Sequence, residues 1–174
     1  EDRQESPARI HPPTISHGYN DQRPLPRVWR EFDWAGTDDP SAALCLPAAL
    51  DFMEAVVPGG LAEVMRRNRA LALAQRQRLC AAFETKPLCP ESMVGSIASI
   101  ALPPSPPVAP GVPSAFNIAP LQEALWERHR IEVPIISFPA APARQVRISA
   151  QLYNGPEQYA LLERALKQEI ARGV

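Results

Sequence analysis

Prolines divide this sequence into short segments, and they limit its possible folds more than any other feature. The chain has 21 prolines in 174 residues, and proline breaks helices and removes a hydrogen-bond donor from the interior of a sheet. The longest apolar runs are short and interrupted by proline, so no segment is predicted to span a bilayer. The chain must therefore fold from short helices and strands.

Four segments are predicted to form helices. The first begins at Asp39, a capping residue, with Pro40 at the first helical position, and Pro47 is expected to kink or divide it. The other three helices correspond to "LAEVMRRNRALALAQRQRLCAAF", "IAPLQEALWERHR" and "PEQYALLERALKQEIARG". On the longest of them the arginines are expected to lie opposite an apolar side that includes Leu61, Val64, Met65, Leu71, Leu79 and Phe83.

Three segments are predicted to form strands: "SMVGSIASIALP", "IEVPIISF" and "RQVRISAQLYN". The last alternates clearly, with Val146 and Ile148 on one face and Arg147 and Ser149 on the other. The order helix, helix, strand, helix, strand, strand, helix predicts an α+β fold. We expect a small, mainly antiparallel three-stranded sheet with helices packed on one face.

Charge and cysteine content exclude several classes of function. The net charge is −1, which gives no reason to expect nucleic acid or an anionic membrane as a partner. The cysteines, Cys45, Cys80 and Cys89, are odd in number and lack CxxC spacing, so neither a disulfide framework nor a metal site is predicted. A reducing, cytoplasmic location is the natural expectation, and the polar first residues do not resemble a signal peptide.

Five segments occur in a characteristic order along the chain: "ISHGY", "FDWAGTDDPSA", "PAALDFMEAVVPGGLAEVMRRNRALA", "PESMVGSIASIALP" and "RQVRISAQLYN". In this order they resemble class V aminotransferase-like enzymes, which depend on pyridoxal phosphate (PLP). The isopenicillin N epimerase-like branch is the most similar. The resemblance covers the chain from about Ile15 to its end.

This resemblance implies that the chain is the C-terminal portion of a fold type I PLP enzyme. Residues 1–40 would be the end of a large domain that is otherwise missing, with a loop that faces the cofactor, and residues 41–174 would be the small C-terminal domain. The complete enzyme would be a homodimer acting on an amino acid by epimerisation, transamination or elimination. The Schiff-base lysine would lie upstream of Glu1.

The lysine content agrees with that last expectation. Such an enzyme needs an amine that forms an imine with the cofactor, and the sequence has only Lys86 and Lys167. Lys86 lies in a predicted loop, and Lys167 lies off the apolar stripe of the closing helix. Neither position is typical of a buried, activated amine, so this chain alone is predicted not to complete the chemistry.

Gly36 and Thr37 are the predicted cofactor contacts. The resemblance implies that this pair reaches the PLP phosphate of the other subunit of a dimer, and a glycine beside a hydroxyl and free backbone N–H groups suits a phosphate. The alternative is an ordinary loop in which Thr37 bonds local backbone. Asp38 and Asp39 are better explained as helix caps than as general bases.

Arg147 is the predicted substrate contact. The resemblance implies that it pairs with the substrate α-carboxylate, which a guanidinium matches with two parallel hydrogen bonds. The alternative is a surface arginine on a half-exposed strand, like Arg144 nearby. His17 is a weaker candidate for the same pocket. Two aromatic residues, Tyr19 and Trp34, could line it, although packing is their default role.

Two other functions remain open. The missing lysine favours a non-catalytic binding or dimerisation domain, although such a domain would not need Arg147 or Gly36. A cysteine desulfurase would use a cysteine on a mobile loop. Cys89 is predicted to lie in a loop, but "KPLCPES" does not resemble the desulfurase loop, and Cys45 and Cys80 are expected in the core.

Overall fold

The computed structural model describes residue 11 and residues 17–20, 22–33, 39–106 and 118–174. The chain divides into two compact units, Glu1–Leu50 and Asp51–Val174. The helices are α1 (Arg27–Phe32), α2 (Ser41–Leu44), α3 (Leu46–Ala55), α4 (Gly60–Ala82), α5 (Pro120–His129) and α6 (Pro156–Ala171). The strands are β1 (Ile97–Leu102), β2 (Ile135–Ile136) and β3 (Arg144–Ser149). Short 3-10 helices cover His17–Asn20 and Glu91–Met93.

The second unit contains a three-stranded antiparallel sheet in the order β1-β3-β2. Burial alternates along β3, where Val146 and Ile148 are buried while Arg147 and Ser149 are exposed. The core lies on that one face, between the sheet and helices α4, α5 and α6. The α+β prediction is therefore confirmed, because the apolar residues of β3 recur at the two-residue period of a strand.

Helix α6 forms where the sequence places its signals. Pro156 lies in the first turn, where its lack of an N–H costs no helical hydrogen bond. Tyr159, Leu162 and Leu166 are buried at helical spacing. Gly173 has a φ of +86°, which a glycine adopts without strain just beyond the last turn.

Helix α4 departs from its predicted faces in two respects. Met65, expected on the apolar side, is exposed, whereas Arg76, expected among solvated arginines, is buried. Arg76 Nη1 donates to the carbonyl oxygen of Cys89 (2.9 Å), and Arg69 Nε donates to that of Val94 (3.0 Å). These bonds satisfy backbone acceptors in the connection from α4 to β1, so the two guanidinium groups have a structural role.

The first predicted helix is divided, as Pro47 suggested, into α2 and α3. The predicted start was one residue too early, because α2 begins at Ser41 and Pro40 is its N-cap residue. The carboxylate of Asp39 still accepts a hydrogen bond from the backbone N–H of Ser41 (3.0 Å). Neither α2 nor α3 has a buried residue. The prediction that Cys45 belongs to the core is therefore wrong, because the turn between these helices is exposed.

The first unit contains a buried acid that the sequence analysis did not single out. Glu31 on α1 accepts hydrogen bonds from Arg27 Nη1 (2.9 Å) and His11 Nδ1 (2.8 Å). Burial raises the pKa of this carboxyl, but the hydrogen bonds from Arg27 and His11 outweigh it, and the pKa is lowered overall. A Cβ atom at Gly18 would lie 1.2 Å from the carbonyl oxygen of Arg30, so this close approach requires glycine.

Candidate functional site

Arg147 lies where the alternation of β3 predicted, on the exposed face of the sheet. It belongs to the central strand, and its register partner on β1 is Ser99. Among the residues that the structure describes, no carboxylate pairs with its guanidinium group and no acceptor bonds it. A cation without a partner on a rigid strand is well placed to bind an anion.

A cleft of about 470 Å³ opens beside Arg147 at the end of the sheet. It lies between the first turns of α6, the end of β3 and the segment that leads from α5 into β2. Its charged side chains are two arginines, Arg130 and Arg147, and one acid, Glu132. Apolar and aromatic residues complete its walls, among them Ile131, Val133, Tyr153, Tyr159, Leu161 and Leu162.

The cleft exists because β2 is short. Its pairing with β3 ends at Ile135. One further hydrogen bond precedes it in sequence, in which the Arg147 N–H donates to the carbonyl oxygen of Pro134 (3.1 Å). Beyond Arg147, at Ser149, the edge of β3 has no neighbouring strand. The hydroxyl of Tyr159 replaces the missing strand in part, since it donates to the carbonyl oxygen of Ser149 (2.6 Å).

Tyr159 is fixed in its neutral form by this position. Burial raises the pKa of its phenol, and the nearby Tyr153 raises it further. The residue therefore acts as a hydrogen-bond donor across the usual pH range and not as a base. The sequence places Tyr159 on the apolar stripe of α6. The hydrogen bond of its hydroxyl was not predicted, because it depends on where β3 places the Ser149 carbonyl.

Arg144, which the sequence analysis compared with Arg147 as a surface arginine, has a different environment. It lies on the core face of β3, with 6% of its surface exposed. Nε donates to the carbonyl oxygen of Pro103 (2.8 Å) and Nη2 to that of Val174 (3.0 Å). Burial lowers the pKa of Arg144. The two arginines of this strand therefore differ in role: Arg144 bonds backbone carbonyls, whereas Arg147 is available to a ligand.

The other predicted contacts lie mostly outside what the structure describes. Gly36, Thr37 and Trp34 fall outside the described residues, as do the side chains of His17 and Tyr19. The backbone of His17 begins the 3-10 helix His17–Asn20.

Both lysines are exposed. Lys167 Nζ pairs with Glu163 Oε1 (2.8 Å) on the surface of α6, and Lys86 lies in the loop after α4. Among the cysteines, Cys80 is buried as predicted, and Cys89 is half-buried with its carbonyl bonded by Arg76. Within the described ranges, no cluster of three or more metal-binding side chains is present.

The described helices were also compared with the requirements of a membrane span. None is by itself long and apolar enough to cross a bilayer, and only residues 41–55 and 60–82, taken together across a break, reach that length and composition.

Comparison with known proteins extends the resemblance drawn from the sequence. No protein-family model matches the chain. A probable chloroplastic L-cysteine desulfhydrase of Arabidopsis thaliana is 32% identical over 95% of this chain and 34% of its own length. Isopenicillin N epimerase of Amycolatopsis lactamdurans is 29% identical over 91% of this chain and 39% of its own length.

Nearly all of the chain is thus aligned with curated enzymes, and its resemblance to class V aminotransferase-like proteins is confirmed. Within that group, its relatives are L-cysteine desulfhydrases and isopenicillin N epimerases. The chain spans only about a third of the length of these relatives.

Proposed function

We propose that this chain is the C-terminal portion of a PLP-dependent enzyme that acts on an amino acid, and that Arg147 binds the substrate carboxylate. The observation that carries the proposal is the guanidinium group of Arg147, exposed and without a partner among the described residues, beside a cleft. A desulfhydrase of L-cysteine, the activity that one group of relatives is named for, would need to hold such a carboxylate.

The position of Arg147 suits this role mechanically. Its strand is central in the sheet and is paired on both sides, with Ser99 opposite on β1 and the Pro134 carbonyl bonded to its N–H. The paired strand fixes the backbone of Arg147, so binding has to order only its side chain. Arg147 would fix one end of the substrate, so that the reacting carbon is oriented towards the cofactor.

The described residues fit a carboxylate better than they fit covalent attachment of PLP. When bound, PLP supplies an electron sink for the carbanion formed at the substrate α-carbon. A lysine that forms an imine is usually buried, with a lowered pKa, whereas both Lys86 and Lys167 are exposed. We therefore propose that the lysine comes from a part of the enzyme outside this chain, and that Gly36 and Thr37 contact the cofactor phosphate across a dimer.

The surface of α3 supports the existence of such a further part. Leu46, Leu50 and Phe52 are at least half exposed, and no residue of this apolar helix is buried. A helix that is apolar on most sides is normally covered by other protein. We propose that it packs against the large domain expected from the lengths of the relatives.

Borohydride trapping tests the assignment of the lysine. The chain would be mixed with PLP, reduced and digested, and each lysine would be examined by mass spectrometry. We expect no specific adduct, because neither exposed amine is activated. Stoichiometric labelling at Lys86 or Lys167, prevented by Lys86→Arg or Lys167→Arg, would contradict the proposal.

A non-catalytic binding or dimerisation domain is the second candidate. The exposed lysines favour it, since nothing in the described chain anchors a cofactor. Sedimentation velocity separates the two functions. A domain that normally packs against a larger one should self-associate through α3, and the polar variants Leu46→Gln and Phe52→Gln should reduce that association. A stable, monodisperse monomer would favour a free-standing binding domain, and a dimer that both variants leave unchanged would favour a dimerisation domain.

A further inference from the structure

The edge of β3 presents a backbone donor to the cleft. In the pairing of β1 with β3, the Ala150 N–H donates to the carbonyl oxygen of Ser96 (2.8 Å). Backbone groups alternate in direction along an antiparallel strand, so the N–H groups of Arg147 and Ser149 point away from β1, towards the cleft. The Arg147 N–H bonds Pro134 (3.1 Å), which leaves the N–H of Ser149 as the next donor along this edge.

No strand residue takes up that donor. Continued pairing would place the Glu132 carbonyl opposite the Ser149 N–H, but pairing ends at Pro134. Within the described parts of the chain, the Ser149 N–H has no acceptor, whereas its carbonyl is bonded by Tyr159. Ser149 is exposed, so this N–H is available to an acceptor that enters the cleft.

We propose that the Ser149 N–H and the Arg147 guanidinium group together bind one carboxylate. Both residues line the same cleft and lie two positions apart on one strand. A carboxylate has two oxygens with about four lone-pair sites, so it accepts a bond from the backbone as well as from an arginine. This inference rests on the proposed function, because it names a second contact for the substrate that Arg147 would bind.

The remaining walls of the cleft indicate what the carboxylate is attached to. Val133, Leu161 and Leu162 provide apolar surface beside the two donors. Glu132 is the one acid on the lining, against two arginines, so the cleft favours a ligand with a single negative end. The ligand class is therefore a carboxylate that also has an apolar part.

Tyr159 contributes indirectly. Its hydroxyl occupies the Ser149 carbonyl, which removes an oxygen that would otherwise repel a carboxylate. Ser149 thus offers its N–H as a donor, while its carbonyl oxygen is already bonded by Tyr159. In this arrangement Tyr159 is a positioning residue and does not contact the ligand.

Titration with sodium acetate, followed by ¹H–¹⁵N NMR of the chain, tests the proposal. We expect the Ser149 amide and the Arg147 Nε–H resonances to shift saturably with the same apparent Kd. The Ala150 amide, already bonded to Ser96, should not shift. Arg147→Gln should weaken binding about tenfold, the loss expected for one charge-assisted hydrogen bond.

A matched variant separates the backbone from the side chain. Ser149→Ala keeps the N–H and removes the hydroxyl, so it should bind acetate as the unchanged chain does. Loss of binding in this variant would show that the hydroxyl is the donor and would overturn the proposal.

The two proposals fail in different ways. A shift of Arg147 Nε–H without the Ser149 amide would overturn the backbone contact and leave the assignment of Arg147 intact. Unchanged binding in Arg147→Gln would overturn the assignment of Arg147. The absence of any saturable shift in the unchanged chain would overturn both.

Discussion

Helices α3 and α6 are both rich in apolar residues, yet one is exposed on all sides and the other is part of the core. Helix α6 buries Tyr159, Leu162 and Leu166, whereas α3 buries nothing although it carries Leu46 and Phe52. The difference lies in the partner that each apolar side finds. That of α6 belongs to the core cluster with the sheet, whereas no residue of α3 belongs to that cluster.

Apolar content alone therefore does not indicate whether a helix belongs to its own chain's core. A single stripe can be satisfied by one neighbour, as α6 is by α4, α5 and the sheet. A helix that is apolar on several sides needs several neighbours. The stability of this chain should therefore depend strongly on α6 and hardly at all on α3.

The largest expected effect concerns the buried acid of α6. Glu169 is fully buried and is contacted by Arg128, His129 and Arg172. Burial raises the pKa of its carboxyl, but the hydrogen bonds from His129 and Arg128 outweigh this, and the pKa is lowered. Glu169→Ala should reduce the free energy of unfolding by about 3–5 kcal/mol, because hydrogen bonds from three side chains to a fully buried carboxylate are lost together. Urea denaturation measures this change.

Glu163 on the same helix is the matched control. It pairs with Arg78 and Lys167 through partly exposed side chains. Glu163→Ala should cost about 0–1 kcal/mol, as surface ion pairs do. Equal stability of Glu169→Ala and Glu163→Ala would show that the ion pairs of the buried acid do not stabilise α6 more than the exposed pairs do.

Paired leucine substitutions test the comparison of α6 and α3 directly. Leu166 is fully buried, whereas Leu50 is 50% exposed. Leu166→Ala should destabilise the chain by about 2–5 kcal/mol through lost burial and a residual cavity. Leu50→Ala should change stability by less than about 0.5 kcal/mol. A comparable loss in both variants, measured by thermal unfolding, would show that α3 packs within this chain.

Tyr159→Phe should have a smaller effect. It removes the hydroxyl that bonds the Ser149 carbonyl (2.6 Å) but keeps the buried ring. We expect a loss of about 0.5–1.5 kcal/mol, the net value of one hydrogen bond. Hydrogen exchange at Ser149 and Ala150 would locate the change. Unaltered stability would mean that water replaces the hydroxyl at this edge without cost.

The smallest effect is expected on the exposed side of α4. Hydrogen bonds from Arg66 and then Arg67 lower the pKa of Glu63 from 4.5 to about 2. A lowered pKa gives stability that is present above pH 4.5 and is lost as the pH falls towards 2. The stability of Glu63→Gln, compared with the unchanged chain between these values, should therefore depend less on pH. Identical profiles would contradict the ion pairs.

The sequence predicted those parts of the fold in which one local signal decides the outcome. The alternation of β3 placed Val146 inside and Arg147 outside, and Pro47 divided the first helix at the expected position. Errors arose where a tertiary neighbour decides. Arg76 is buried because the carbonyl of Cys89 needs a donor, and no periodicity in α4 contains that information.

The candidate site was likewise predictable from the sequence only in part. The exposed face of Arg147 followed from the strand period, but the cleft beside it did not. That cleft depends on where β2 stops, on the register that leaves the N–H of Ser149 without a strand partner, and on a hydroxyl from α6. These are relations between segments far apart in sequence, which residue patterns within one segment cannot specify.

The short pairing of β2 also affects how copies of this chain can associate. Uncovered strand edges are templates on which further strands add, and this can lead to aggregation. On the β2 side the template is short, because the Arg147 N–H is already bonded to Pro134 and the Ser149 carbonyl is occupied by Tyr159. A cross-β stack therefore finds no continuous ladder there, and the tyrosine that leaves the Ser149 N–H open to a small ligand protects this edge from another strand.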